Sequence, residues 1–322
     1  DLTAVLLIGT TLIFILGLLD DFIGIKPQTK LVGQILVASV ITFLGFRLHW
    51  FASLTLDTMV TIFWIVGLTN AFNLTDNMDG LCAGLGFIAA AYLAFLFHGV
   101  SREAFVIAFV LAGAMGGFLV YNFNPASIFM GDSGSLQIGF TMSTLCLFYA
   151  GEQAANGLSR YAVPVLLLLV PIWDTTMVTL IRLLSGRKVS TGGKDHTSHG
   201  LVLIGFSEKS AVLFLYGVGA VSGFSAVFVS LNDRFTSPTV IIPLTVAIFL
   251  MGTYLSQIRV YPEKEFCLLR GKPYTPILLD LTFKKQILLV LMDCGLIAFA
   301  YYLSYRLRFD ARTFPLYFTV FL

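Results

Sequence analysis

Apolar residues fall in long blocks along the chain, separated by short polar segments. Each block approaches the ~20 residues that an α-helix needs to cross a bilayer. The blocks are continuous rather than alternating with a period of two, which argues against a transmembrane barrel. We therefore predict an all-α, polytopic membrane protein with about ten transmembrane helices. The predicted spans are residues 3–19, 31–46, 58–72, 80–98, 104–121, 136–150, 161–184, 209–230, 238–258 and 286–304.

Composition supports this class of protein. The 322 residues are 57% hydrophobic and only 12% charged, whereas about 25% of the residues of a typical soluble domain are charged. The formal net charge of +2 gives no indication of nucleic-acid binding. The four cysteines form no close pair, so neither a disulfide framework nor a zinc site is predicted.

Positive charge is distributed unevenly between the two sets of loops that ten spans would create. Thirteen of the 20 lysine and arginine residues, including all nine lysines, fall on one side. The positive-inside rule makes that side cytoplasmic. Nearly all polar segments with candidate chemistry fall on the same side, so we predict cytoplasmic active-site loops.

Two adjacent carboxylates, Asp20 and Asp21, end the first predicted span. Neighbouring carboxylates repel each other unless a cation or a protonated partner relieves the repulsion. At a membrane surface, the pair suits a magnesium–phosphate site or a base acting on a lipid phosphate. A solvated loop after the helix, favoured by Pro27, is the alternative interpretation.

Amides and carboxylates crowd the end of the third span. Asn70 and Asn73 lie on one helical face, and Asp76 extends this row if the helix continues. Such oxygen ligands suit a hard cation that keeps several waters. A polar cap and loop is the alternative. The candidate residues of this segment are Asn70, Asn73, Asp76 and Asp79.

A glycine-rich turn precedes the sixth span and places Asp132 between Gly131 and Ser133. An acidic residue on such a turn can ligate a metal while nearby N–H groups face a phosphate. Phe129, three residues earlier, is placed to stack on a base. A simple N-cap by Ser133 or Ser135 is the alternative interpretation.

Basic residues and histidines follow the seventh span, in the segment 187–201. Lys194, His196 and His199 suit a negatively charged diphosphate, because histidine can be protonated near neutral pH. The other two histidines are predicted on the opposite side, so a zinc site is not expected. A merely basic loop is the alternative. Within the seventh span, Asp174 is predicted to support the site rather than to react, since buried ionisable residues in membranes are usually functional. A bond to Thr175 or to a neighbouring helix is the alternative.

Together, these four segments resemble the polyprenyl-phosphate N-acetylhexosamine-1-phosphate transferases over about residues 1–258. The sequence H-T-S-H-G-L is more similar to the branch that transfers GlcNAc-1-phosphate than to the muramyl-pentapeptide branch. The resemblance is carried by Asp20, Asp21, Lys30 and Gln34; by Asn70, Asn73, Asp76, Asp79 and Gly80; by Phe129, Met130, Gly131, Asp132, Gly134 and Ser135; by Pro171 and Asp174; and by Asp195, His196 and His199.

The resemblance implies transfer of GlcNAc-1-phosphate, or a related N-acetylhexosamine phosphate, from a UDP-sugar to undecaprenyl or another polyprenyl phosphate. UMP would leave, and the product would start a cell-envelope polysaccharide such as O-antigen or teichoic acid. The implied cofactor is Mg²⁺, with Mn²⁺ as an alternative, held by Asn73 and Asp132. Family members have been argued to act by direct attack or through an aspartyl intermediate, and both stay open.

The resemblance also implies roles for individual residues. Phe129 would stack on uracil, and Asp79 would bind uracil or metal. Asp20 or Asp21 would deprotonate or position the lipid phosphate. The expected catalytic residues are Asp20, Asp21, Asp79 and Asp132, and the expected substrate-binding residues are Asn70, Asn73, Asp76, Phe129, Lys194, His196 and His199.

The predicted organisation has three parts. Residues 1–258 form the transferase core, residues 259–285 form a cytoplasmic linker, and residues 286–322 begin a second membrane region. That last region is similar to the one found ahead of some nucleotide-sugar epimerase/dehydratase domains. The chain starts without Met and stops in an apolar run, so we expect a fragment that lacks N-terminal spans. The expected location is a bacterial or archaeal cytoplasmic membrane, with a homodimer left open.

Two other functions remain open from the sequence. A secondary transporter would carry its polar residues near the bilayer midplane, whereas most polar residues here lie at span ends. A non-catalytic scaffold for polysaccharide assembly would not need the Asp and Asn positions described above.

Overall fold

A computed structural model gives the arrangement of the chain. It describes residues 2–152, 157–184, 193, 195–232 and 237–256, together with the single positions 296, 300 and 304. Every regular element in the described part is a helix, which confirms the all-α prediction. The helices are α1 (Leu2–Ile23), α2 (Pro27–Phe43), α3 (Leu54–Thr75), α4 (Leu81–Phe97), α5 (Arg102–Asn122), α6 (Gly131–Glu152), α7 (Gly157–Leu167), α8 (Leu169–Leu184), α9 (Thr197–Leu203), α10 (Glu208–Leu231) and α11 (Pro238–Ser256).

Several of these helices are suited to cross a membrane. Four are long and apolar enough, namely α1, α3, α5 and α10, and the bent pair α7–α8 makes a fifth if it is one span. The chain is therefore a multi-pass membrane protein. Shorter apolar helices fill other predicted spans, so the number of ten crossings stays a prediction.

The seventh predicted span is wrong as a single helix. The structure divides it at Leu168 into α7 and α8, whose axes differ by 69°. Pro171 has no backbone N–H, so it cannot donate to the carbonyl of Leu167 and the helical ladder is interrupted there. The break lies shortly before Asp174 and sets the direction in which α8 carries that side chain.

The described residues divide into two compact units. The first unit comprises residues 1–179 and 192–231 and holds α1 to α7, most of α8, α9 and α10. The second unit comprises residues 180–191 and 232–322, of which the last residues of α8 and α11 are described. The predicted linker 259–285 and nearly all of the region 286–322 lie outside the described residues.

The first unit is built around α6, which packs against α1, α3, α4 and α7. Most of its residues are buried, including Phe140, Leu145 and Tyr149. A helix that is apolar on every side belongs in an interior. By contrast, α1 exposes Leu7, Ile8 and other large apolar residues, as expected of a surface that faces lipid.

Candidate active site

The end of α1 lies directly against the beginning of α6. A Cβ atom on Gly17 would lie 2.5 Å from the Cα of Ser133, so only glycine permits this contact of backbones. Asp21 follows one turn later, and its carboxylate accepts hydrogen bonds from the N–H groups of Asp132 at 2.8 Å and Ser133 at 3.0 Å. Gly131 leaves room for that carboxylate, since its backbone φ is +67° and a Cβ would lie 2.9 Å from Asp21 Oδ2.

Asp21 is therefore the N-terminal cap of α6, supplied by a different helix. The first N–H groups of a helix have no partner within it, and a carboxylate there also interacts favourably with the helix dipole. The predicted alternative, a local cap by Ser133 or Ser135, is not what the structure shows. Ser135 Oγ instead donates to the carbonyl of Gly131 at 2.9 Å. The cap fixes the backbone of Asp132 against α1.

Four helices contribute polar side chains to one group, which we call the acid–lysine cluster: Asp20, Lys30, Asn73 and Asp132. Lys30 Nζ lies 2.8 Å from Asp20 Oδ2 and also donates a hydrogen bond to Asp132 Oδ2. Asn73 Nδ2 donates to Asp132 Oδ1 at 2.9 Å. The structure thus brings together residues that lie far apart along the chain.

Asp76 lies beside this cluster but not on the helical row that the sequence predicted. Helix α3 ends at Thr75, and Asp76 is its C-cap. Burial, together with the negative charges of Asp132 and Asp79, raises the pKa of Asp76 to about 6. The site therefore holds more negative charge than Lys30 neutralises.

Asn70 occupies a different position from Asn73. Its Nδ2 donates to Gln34 Oε1 at 2.6 Å and to the carbonyl of Val66 at 2.8 Å. Gln34 is buried in α2. Within the described part of the chain, these bonds tie α2 to α3 rather than join Asn70 to the acid–lysine cluster, so Asn70 positions the helix that carries Asn73.

Asp79 holds the loop that leads to Phe129. Its Oδ2 accepts from the N–H of Ala126 at 3.0 Å and lies 3.4 Å from Asn124 Nδ2. The buried Asn122, which sequence reasoning missed, accepts from Gly80 N–H at 3.1 Å and donates to the carbonyl of Ile128 at 2.9 Å. Its position at the last residue of α5, ahead of a proline turn, was the available signal.

Phe129 itself is 78% exposed. A large apolar ring that is held at the surface by a bonded loop is available to a planar ligand. Its contact with uracil stays a prediction, since stacking is suited to any base.

The histidine segment folds into α9, a short helix that the sequence did not predict. His196 Nδ1 lies 2.8 Å from Asp174 Oδ2, and the His199 ring lies 6.3 Å from the His196 ring. Ser198 Oγ donates to Asn77 Oδ1 at 2.6 Å, which joins α9 to the segment that carries Asp76. Lys194, the remaining candidate, lies outside the described residues.

The donor set of this site fits a divalent cation of the magnesium type. Among the described residues, no three His, Cys, Asp or Glu side chains are grouped as a metal site made of protein alone. Mg²⁺ is usually held by one or two carboxylates together with water and substrate phosphates. Asp132 and Asn73 supply suitable oxygens, and the raised pKa of Asp76 marks the negative charge that a cation would relieve.

These features define a helical membrane protein with a charged site at one end of its helices. Comparison with known proteins agrees, since residues 3–150 match the model of glycosyl transferase family 4. A probable undecaprenyl-phosphate N-acetylglucosaminyl 1-phosphate transferase of Bacillus subtilis is 35% identical over 230 residues, covering 68% of this chain and 64% of the relative. A decaprenyl-phosphate N-acetylglucosaminephosphotransferase of Mycobacterium tuberculosis is 34% identical over 276 residues, covering 76% and 68%.

A phospho-N-acetylmuramoyl-pentapeptide-transferase of Listeria monocytogenes is 32% identical over 255 residues, covering 70% of this chain and 74% of that protein. The chain belongs to glycosyl transferase family 4. It spans slightly less than two thirds of the length of the Bacillus subtilis relative, 64%.

Proposed function

We propose that the chain transfers an N-acetylhexosamine 1-phosphate, most simply GlcNAc-1-phosphate, from a UDP-sugar to a polyprenyl phosphate. A phosphate oxygen of the lipid would form a bond to the β-phosphorus of the donor. The bond from that phosphorus to the bridging oxygen would break, and UMP would leave with the electron pair. The names of the relatives support a polyprenyl-phosphate acceptor and an amino-sugar phosphate.

One observation carries the proposal: Asp132 contacts both Asn73 and Lys30 in the acid–lysine cluster. Its two oxygens meet Asn73 and Lys30, and its backbone N–H is held by Asp21. A carboxylate so fixed, next to the Asn73 amide group and the Lys30 ammonium group, is organised to hold a cation and a diphosphate together. When bound at Asp132 and Asn73, Mg²⁺ would offset the charge on the transferring phosphoryl group.

The remaining residues would bind the two anionic substrates, the lipid phosphate and the UDP-sugar. Lys30, which already bonds Asp20, would attract the lipid phosphate and orient it together with that carboxylate. Phe129 would stack on the uracil, and its loop would be held by Asp79. His196 and His199 would contact the sugar and its phosphates. In-line placement of the two phosphates would supply much of the rate acceleration.

In this proposal the site lies on the cytoplasmic face, as the lysine distribution predicts. Ten crossings of a bacterial or archaeal membrane belong to the same proposal. The transporter alternative is less well supported, because the residues of the acid–lysine cluster meet at helix ends, whereas a transporter would place its polar residues on broken helices near the midplane.

A panel of UDP-sugars tested with polyprenyl phosphate, Mg²⁺ and purified protein would test the proposal directly. We expect UMP release only when both substrates and the cation are present, with UDP-GlcNAc the best donor. Asp132→Asn should lower kcat at least about 100-fold, since it removes a preorganised charge. Glu152→Gln is the matched control, because it removes an exposed carboxylate from the opposite end of the same helix. Full turnover by Asp132→Asn would refute the assignment of the site.

A further inference from the structure

Asp174 in α8 is a buried carboxylate whose two oxygens both have partners. The residue is 5% exposed, and its Oδ2 lies 2.8 Å from His196 Nδ1. Its Oδ1 accepts a hydrogen bond from the backbone N–H of Thr197 at 2.6 Å. Burying a carboxylate is costly unless hydrogen bonds compensate it, so these two contacts account for its presence inside the protein.

The contact with His196 has a consequence for the imidazole ring. An ionised carboxylate can only accept hydrogen bonds, so Nδ1 of His196 must carry the proton between them. The bond made by one ring nitrogen determines the role of the other. Nε2 is then the nitrogen of His196 that is left for a ligand. When the ring is neutral, Nε2 carries no proton.

We propose that Asp174 is a positioning residue that fixes the Nδ1-protonated form of His196 and, through Thr197, the place of that ring at the start of α9. His196 would thereby present Nε2 as an acceptor to a hydroxyl or N–H group of the sugar. The identity of that ligand rests on the proposed function, whereas the protonation of Nδ1 does not.

A second observation links this pair to the acid–lysine cluster. The bond between Ser198 and Asn77 joins α9 to the chain segment that leaves α3, directly after Asp76. The histidine is thus fixed from two directions, by α8 through Asp174 and by the α3–α4 connection through Asn77. Such double fixing is expected where the position of a ring matters for chemistry, because supporting hydrogen bonds determine the orientation of a functional side chain.

Asp174→Asn separates this role from simple capping. The asparagine carbonyl can still accept from Thr197 N–H, which forces its amide group toward His196. The amide donates, so Nδ1 must become the acceptor and the proton must move to Nε2. The substitution therefore preserves the helix cap and reverses the tautomer.

Nitrogen-15 NMR of histidine-labelled protein in bilayers would read the tautomer without any substrate. The chain has four histidines, and His196→Gln identifies the signals that belong to position 196. We expect a protonated Nδ1 in the wild type and a protonated Nε2 with an unprotonated Nδ1 in Asp174→Asn. A wild-type His196 that is neutral and protonated at Nε2 would overturn the proposal, even if the variant failed to fold.

Steady-state kinetics of the transferase reaction, measured with the full chain, give the second test. We expect Asp174→Asn to lower kcat/KM about 10- to 100-fold, as for the loss of one hydrogen bond to a charged group. His196→Gln should have a similar effect, and the double variant should be no slower than His196→Gln alone. Thr176→Val, an exposed change on the same helix, should be neutral. Independent, multiplying effects of the two substitutions would show that Asp174 does not act through His196.

The two tests separate failures of the two proposals. A wild-type protein with the expected tautomer but no transferase activity would refute the proposed function and leave the role of Asp174 intact. The reversed tautomer in an active wild-type enzyme would refute the role of Asp174 and leave the proposed function intact.

Discussion

Replacing Asp76 with asparagine should make the cation-free protein more stable at neutral pH. Burial and the nearby charges of Asp132 and Asp79 raise the pKa of Asp76 to about 6, against 3.8 for the free side chain. A folded state with the higher pKa binds the proton more tightly than the unfolded state. The stability that this proton contributes is present at about pH 4 and is lost as the pH rises through about 6.

The size of the effect follows from the same values. The free energy of unfolding should fall by at most about 1.4 kcal/mol per pH unit between about pH 4 and pH 6, or roughly 3 kcal/mol in total. A carboxamide cannot ionise, so the Asp76→Asn variant should lack this part of the pH dependence. The variant should match the wild type near pH 4 and exceed it by up to roughly 3 kcal/mol above about pH 7.

Thermal unfolding in detergent and EDTA, followed by tryptophan fluorescence from about pH 4 to pH 8, would measure the difference. A saturating concentration of Mg²⁺ should narrow the gap between variant and wild type at about pH 7, because a cation at Asp132 favours the ionised form of Asp76. Parallel pH profiles in EDTA would refute the electrostatic reasoning. A gap that Mg²⁺ leaves unchanged would count against a cation beside Asp132.

Three further substitutions test the geometry of the site. Asp21→Ala should lower the free energy of unfolding by about 1 kcal/mol through loss of the α6 cap. Asp21→Asn keeps only one of the two acceptor oxygens, so it should lower that free energy by less in chemical denaturation. Equal losses in the two variants would contradict the cap. Gly17→Ala should lower the free energy of unfolding by about 1–3 kcal/mol and slow UMP release, because the added Cβ would overlap Ser133. Gly67→Ala is the control, because a Cβ at Gly67 would meet no atom within 4 Å. Lys30→Met should lower the melting temperature in EDTA and reduce the affinity for the lipid phosphate. Lys26 is exposed, so Lys26→Met is the control and should change neither quantity. Unchanged lipid binding by Lys30→Met would show that Lys30 does not bind the lipid phosphate.

The adjacent aspartates show why the sequence could nominate a site but not assign its parts. Successive residues on an α-helix point about 100° apart. Asp20 therefore faces Lys30 of α2, while Asp21 faces the first N–H groups of α6. Which neighbour each carboxylate meets depends on how closely α1 and α6 pack, and that distance is set by Gly17.

The same limit applies to the other candidates. Asn70 and Asn73 are equivalent in a helical pattern, yet one bonds Gln34 and the other bonds Asp132. Asp174 and His196 are 22 positions apart, and no local spacing connects them. Lys30 appeared only through the family resemblance, because a lysine after a proline-containing turn carries no signal by itself.

The sequence by itself determined the class of protein and the segments that carry its chemistry. Lipid leaves the backbone no partner except itself, so long apolar blocks must become helices whatever surrounds them. Polar segments between such blocks must then gather at helix ends. Only the tertiary structure decided which side chains touch, because hydrogen bonds reach about 3 Å and depend on helix rotation, the break at Leu168 and the contact at Gly17.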